Sequence, residues 1–264
     1  MTKRNLLAGW LALCVATVGA LPATAADAPR SRLDAVAASG TLRICTTGDY
    51  RPFTLAIAGT DKFEGIDIDL AEDLAAALGA KPRFVKTGWP TLMTDFAADA
   101  CDIAMGGISI TLPRQKAAYF SIPYLRDGKT PIVRCADVEK YQTLAAIDQP
   151  GVRVVVNPGG TNESFARSAL KAAQVREFPD NTLIFEEILA GRADVMMTDA
   201  VETRLQEKRH PGLCAVHPDA PFTFAEKAYL LPRGDDVFKA FVDQWLHLRL
   251  NDGTFARISA AHMR

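Results

Sequence analysis

Short apolar runs alternate along this chain with amphipathic segments at helical spacing, and that alternation constrains the fold more than any other feature. Residues 41–46 (TLRICT), 82–87 (PRFVKT), 102–107 (DIAMGG), 152–157 (VRVVVN), 175–179 (VREFP) and 193–197 (ADVMM) read as strands. Residues 65–79, 91–99, 161–173, 181–191 and 200–210 read as helices, and 109–121 as a turn into a short helix. A further strand is expected over 224–234, and two helices over 236–261. Strands alternating with helices imply α/β sheets with mainly parallel strands. Two groups of similar size suggest two lobes, 32–133 completed by 221–264, and 134–220, with a ligand cleft between them. Ligands bind beyond the carboxyl ends of strands in such sheets. The segments 47–50, 88–90, 107–114, 157–162 and 198–202 are therefore where function is sought.

The N-terminus has the grammar of a secretory signal peptide. Lys3 and Arg4 precede an apolar stretch from Leu6 to Leu21, and Ala23-Thr24-Ala25 is a small-residue site for cleavage after Ala25. The apolar stretch is short for a membrane anchor, and Leu13 before Cys14 disfavours a lipoprotein. Cleavage leaves 28 basic against 31 acidic residues, a balance that argues against nucleic acid or anionic membrane as a partner. Export into an oxidising compartment permits disulfides. Cys45 lies in an apolar strand and Cys101 in a turn, so both read as buried or half-buried free thiols. Cys135 and Cys214 flank the middle segment and are the favoured pair, although four cysteines allow three pairings.

Several post-strand residues suit an anionic ligand, each against a plainer reading. In GISITLPRQ, Arg114 can hold a carboxylate bidentately with Ser109 and Thr111 adding donors, or it is simply a solvated arginine at a helix start. NPGGTNE offers the backbone of a helix N-terminus, with Asn157, Thr161 and Asn162 beside it, or is an ordinary turn capped by Thr161. Lys129 reads as a residue of an Asp-Gly-Lys turn, and Trp89 as core or as a pocket wall. Asp199 and Glu202 either form a capping box or face the cleft together. The chain has no G-x-S-x-G, H-E-x-x-H or C-x-x-C, so no metal site is expected.

With GDYRPF, GIDIDLAEDLAAALG, GISITLPR, NPGGTNE and TDA in place, the chain resembles the type-II, two-lobe periplasmic amino-acid solute-binding proteins. That resemblance implies that Thr111 and Arg114 grip a ligand carboxylate and that Asp199 meets an amino group. TTGDYRPF, YFSIPYLRDGKTPI, MMTDAVETRLQ and PFTFAEKAYLLPR extend the resemblance to the cyclohexadienyl dehydratase family, exported enzymes built on the same fold. It implies conversion of prephenate to phenylpyruvate and of arogenate to phenylalanine, with no cofactor, in a homo-oligomer such as a trimer. Glu202 would be the general acid for hydroxyl departure, provided that it is protonated. Asn157 and Lys129 would orient the reacting groups, and Asp49 and Trp89 would shape the pocket. The alternative is a binding protein that serves an ABC transporter.

Overall fold

The computed structural model describes Met1 and residues 31–264. The expected signal peptide, with Cys14 and the cleavage site after Ala25, lies outside the described residues. Two five-stranded sheets carry the fold. The first runs Lys81–Lys86, Thr41–Thr46, Ile103–Ala104, Leu230–Leu231, Tyr119–Phe120. The second runs Gln174–Glu177, Arg153–Val156, Val195–Asp199, Lys129–Arg134, Leu213–Ala215. In each, three strands pair in parallel and two more are joined by antiparallel pairings. This is the two-lobe α/β architecture that the alternation implies.

The uninterrupted apolar runs are explained by burial on both faces. In the second sheet Val154, Val156, Val195 and Met197 pack into one cluster with Tyr141, Ile147 and Ala166. The intervening residues Val155 and Met196 point the other way, onto Ile184, Phe185 and Ile188 of the helix Ile184–Leu189. The period of two along each strand thus feeds two cores. In the first sheet Leu42 and Ile44 pack on Leu70 and Leu74 of the helix Ile66–Ala77 and on Phe238, Val242 and Leu246 of the helix Asp236–Asn251. Each of these buried side chains stabilises the fold by about 1.5–3 kcal/mol through removal from water.

Tyr119–Phe120, read as the end of a short helix, is a strand of the first sheet, and the structure departs from the sequence reading in three further places. Lys129 lies in the strand Lys129–Arg134, not in a turn, and that strand pairs in the second sheet, although it precedes the expected boundary at 133/134. The expected strand over 224–234 is two short strands that part company: Ala225–Lys227 pairs with Leu125–Asp127, and Leu230–Leu231 joins the first sheet. Ala225–Lys227 and Leu125–Asp127 both lie where the chain passes between the sheets, and their pairing ties the two passages together. Finally, Cys45 and Cys101 are not free thiols but a disulfide. Cys45 sits on a strand beside the one that Cys101 precedes, so parallel pairing brings them together. The favoured pair Cys135–Cys214 is also present, joining the strand Leu213–Ala215 to the residue that follows the strand Lys129–Arg134. Among the described residues no helix is long and apolar enough to cross a membrane.

The Cys45–Cys101 bridge joins residues 56 positions apart in sequence. The double variant Cys45→Ala/Cys101→Ala is expected to lose about 2–4 kcal/mol of unfolding free energy, read by urea titration. Thiol titration of unreduced, folded 31–264 is expected to find no free cysteine.

Candidate active site

The strand Val195–Asp199 is wholly buried and passes into the helix Ala200–Arg209 without a loop. Asp199 therefore takes the N-cap position, but its side chain makes no capping bond. The reason is competition. Asp199 Oδ1 accepts from Lys129 Nζ at 2.7 Å, and Oδ2 accepts from Lys227 Nζ at 2.5 Å and from the Tyr50 hydroxyl at 2.6 Å. Strand register produces the first contact directly, since Asp199 and Lys129 stand opposite each other in the antiparallel pair. Burial pushes the Asp199 carboxyl up, and the two ammonium groups overcome that push and hold it well below the usual carboxylate range. Lys129 uses its remaining donors on Thr161 Oγ1 at 2.9 Å and Asn162 Oδ1 at 2.5 Å. Burial pushes the Lys129 ammonium down, and Asp199 opposes the shift.

Asn162 passes the constraint onward. Its amide nitrogen donates to Asn157 Oδ1 and to Thr198 Oγ1, both at 3.0 Å. Thr198 in turn donates to Glu202 Oε2. Glu202 is 1% exposed and does not fold back on the helix backbone, so the alternative of a capping box is not the one adopted. Burial raises its carboxyl to about 8. The Thr198 hydroxyl opposes that rise and the Asp199 charge adds to it, while Lys129 and Lys227 oppose it more weakly. Asp199 has drawn both ammonium groups to itself, so Glu202 is left neutral at pH 7. Two acids three residues apart thus hold opposite protonation states, the pattern expected of a charge-holder beside a proton donor.

Of these groups Asn157, Thr161, Asn162, Asp199, Tyr50 and Lys227 line a cavity between the lobes. It is lined by Tyr50, Trp89, Gly107 and Ser109 from the first lobe and by Asn157, Gly160, Thr161, Asn162, Asn181 and Asp199 from the second, with Lys227 from the passage strand. Gly107 holds a φ of +69°, and a Cβ there would stand 2.6 Å from the Tyr50 ring, so only glycine fits this wall. Its amide donates to Asp67 Oδ2 at 2.6 Å, and the Tyr124 and Tyr229 hydroxyls donate to the same carboxylate. The lobes are in contact across the cleft. Asn181 Nδ2 donates to the Asp49 carbonyl at 2.9 Å, and a Cβ on Gly159 would stand 2.6 Å from Pro90.

Of the residues expected from sequence, Trp89, Ser109, Asn157, Thr161, Asn162 and Asp199 line this cavity, and Lys129 and Glu202 join them through hydrogen bonds. Three sit apart from that lining. Thr111 caps the helix Leu112–Ala117, with its hydroxyl accepting from the Arg114 amide at 3.4 Å. Arg114 borders the site by donating to the Ser109 carbonyl at 2.9 Å. Asp49 lines a neighbouring cleft together with Glu202, Asn181 and Gln206. Burial raises the Asp49 carboxyl, and the nearby Thr47 hydroxyl and Trp89 indole oppose the rise. Even so, Thr47 Oγ1, Asp49 Oδ1 and Trp89 Nε1 have no partner of good hydrogen-bond geometry among the described residues. Tyr50 and Thr198 were within the post-strand segments yet not singled out. Lys227 was missed altogether, because nothing in FAEKAYLL marks a charge for burial. Among the described residues no group of three His, Cys, Asp or Glu is arranged to hold a metal ion.

The comparisons with known proteins agree with this geometry. The profile of the bacterial extracellular solute-binding proteins, family 3, matches residues 42–264. The chain is 56% identical over 243 residues to cyclohexadienyl dehydratase of Pseudomonas aeruginosa, an alignment covering 92% of this chain and 90% of that one. It is 27% identical over 229 residues to the L-cystine-binding protein TcyJ of Escherichia coli K12, covering 86% and 84%. Among solved structures, an ancestral amino acid-binding protein described as a precursor of cyclohexadienyl dehydratase superposes with a TM-score of 0.82 at 33% identity, over 89% of this chain and all of that one. An ancestral cyclohexadienyl dehydratase superposes with a TM-score of 0.57 at 50% identity, over 89% and 97%.

The protonation of Glu202 can be read without any ligand. Titration of its carboxyl by carbon NMR is expected to give a midpoint near 8. Thr198→Val removes the hydroxyl that favours the charged form and is expected to move the midpoint higher.

Proposed function

The chain belongs to the bacterial extracellular solute-binding proteins, family 3, and from that membership and the chemistry of its cleft we propose that it is a decarboxylating dehydratase of the cyclohexadienyl type. It converts prephenate to phenylpyruvate and arogenate to phenylalanine. The observation that carries this reading is Glu202, a fully buried glutamic acid that keeps its proton at neutral pH beside an ionised Asp199. A cleft that only binds amino acids has no need of such a donor. The relative with 56% identity, itself a cyclohexadienyl dehydratase, supports the same conclusion.

The ring of either substrate carries a hydroxyl and, on the opposite carbon, a carboxylate. Hydroxide is a poor leaving group, and protonation by Glu202 lets it depart as water. As that C–O bond breaks, the bond to the ring carboxylate breaks with it. Its electron pair enters the ring, which becomes aromatic, and carbon dioxide leaves. Glu202 ends as a carboxylate and regains a proton from solvent. Asn157 supports ring positioning. Asn162 holds its Oδ1, and its amide nitrogen donates to no protein group among the described residues. Arg114 binds the side-chain carboxylate, beside Ser109 and Thr111, with guanidinium nitrogens that donate to no side chain among the described residues. Lys129 is best assigned a positioning role. Asp199, Thr161 and Asn162 take its three donors, and distance from the ring carboxylate avoids stabilising the ground state that must lose carbon dioxide. Trp89 and Asp49 shape the walls, and contact between the lobes keeps water from the reacting carbons.

An extracellular family and two disulfides in 31–264 support periplasmic residence after cleavage at Ala25. A trimeric assembly rests on the family resemblance alone.

The test is phenylpyruvate formation from prephenate by wild type and Glu202→Gln. Turnover by wild type is expected, with a loss of about 100- to 10,000-fold in the variant while substrate still binds. Tight amino-acid binding without turnover would sink the proposal in favour of a transport receptor. Because the active form of Glu202 is the acid, wild-type kcat/KM is expected to hold at neutral pH and fall as pH rises through about 8. Glu202→Gln should lack that descending limb.

A further inference from the structure

Lys227 is the most deeply enclosed cation at the site. It is 0% exposed, and it arrives on the passage strand Ala225–Lys227, not from the end of a parallel strand. Its ammonium donates to Asp199 Oδ2 at 2.5 Å, to Ser109 Oγ at 2.9 Å and to the Tyr50 hydroxyl oxygen at 3.3 Å. It also stands 5.1 Å from the Tyr50 ring centroid and 5.9 Å from that of Phe53. A carboxylate, two hydroxyl oxygens and aromatic faces are the surroundings that recognise a ligand ammonium. Here the chain fills them with an ammonium of its own.

The consequence for ligands is electrostatic. With Tyr50, Lys129 and Lys227 as donors, Asp199 already has a partner on each oxygen, so an incoming amino group must displace Lys227 or sit beside it. Two cations in contact in a buried site repel strongly. A ketone at the same place brings no second positive charge and so meets no such cost.

We propose that Lys227 is a specificity-determining residue: it occupies the ammonium subsite on Asp199 from within the chain, so that the cleft favours a 2-oxo dicarboxylate over its 2-amino counterpart and over free amino acids. This rests on the dehydratase reading and names the preference within it. Asp199 then serves to anchor Lys227 and Lys129, not to receive a substrate amino group.

The experiment measures kcat/KM for prephenate and for arogenate in wild type, Lys227→Met and Lys227→Gln, together with calorimetric binding of L-phenylalanine and L-arginine. Wild type is expected to favour prephenate. Both variants are expected to shift the arogenate-to-prephenate ratio by about tenfold or more towards arogenate, as a site polar group losing its match does. At least one amino acid is expected to bind the variants more tightly than wild type. The ratio is internal to each preparation, so partial unfolding lowers both rates and leaves it unmoved. Turnover by wild type with an unmoved ratio in both variants would overturn the assignment of Lys227 while leaving the dehydratase reading intact. Absence of turnover in wild type would instead overturn the dehydratase reading. Calorimetry would then judge Lys227 alone, with unchanged amino-acid binding in the variants counting against it.

Discussion

The site depends on one buried ion cluster, Asp199 between Lys129 and Lys227, at 2.7 and 2.5 Å. Three charges removed from water are tolerated only when they satisfy one another and are hydrogen-bonded as well. That demand explains the surrounding architecture. Thr161 and Asn162 complete the donors of Lys129, Ser109 completes those of Lys227, and Tyr50 closes the second oxygen of Asp199. Removal of any one charge strands the others, so the cluster holds together residues from both lobes and from the passage strand.

The same cluster decides the state of Glu202. A carboxyl buried to 1% exposure, one helical turn from Asp199 and within the field of Lys129 and Lys227, could have ionised, had either ammonium been aimed at it. Asp199 takes both instead, and Glu202 receives the single hydroxyl of Thr198. Burial then dominates and the proton stays. Division of labour between the two acids follows from which one the cations touch, not from their common helix end.

Beneath the site, the fold supplies rigid attachment. Strand residues Lys129 and Asp199 are fixed by cross-strand register, and the first helical turn fixes Glu202 relative to Asp199. The Cys135–Cys214 bridge staples the antiparallel edge of the sheet that carries Lys129, and the Cys45–Cys101 bridge does the same beside the first sheet's central strands. Asp67 pins Gly107 and two tyrosines from beneath the opposite wall, a buried carboxyl that desolvation raises to about 6. The buried charged groups thus stand on elements whose positions are set by packing, as a preorganised site requires.

The amino-acid sequence by itself determined the alternation of strand and helix, the two-lobe α/β class and the location of the site at strand ends, because periodicity and turn chemistry are local properties. It also placed Glu202 and Asp199 near each other, since three residues on a helix are neighbours. Only the tertiary structure decided what depends on distant partners. Lys129 follows Asp-Gly and reads as a turn residue until its strand pairs with Val195–Asp199. Cys45 finds Cys101 only through the pairing of two parallel strands, 56 residues apart in sequence. Lys227 reads as one charged residue of a strand, and it becomes a site residue through Tyr50, 177 positions away. Burial, charge pairing and protonation are properties of an assembled environment, and no local pattern carries them.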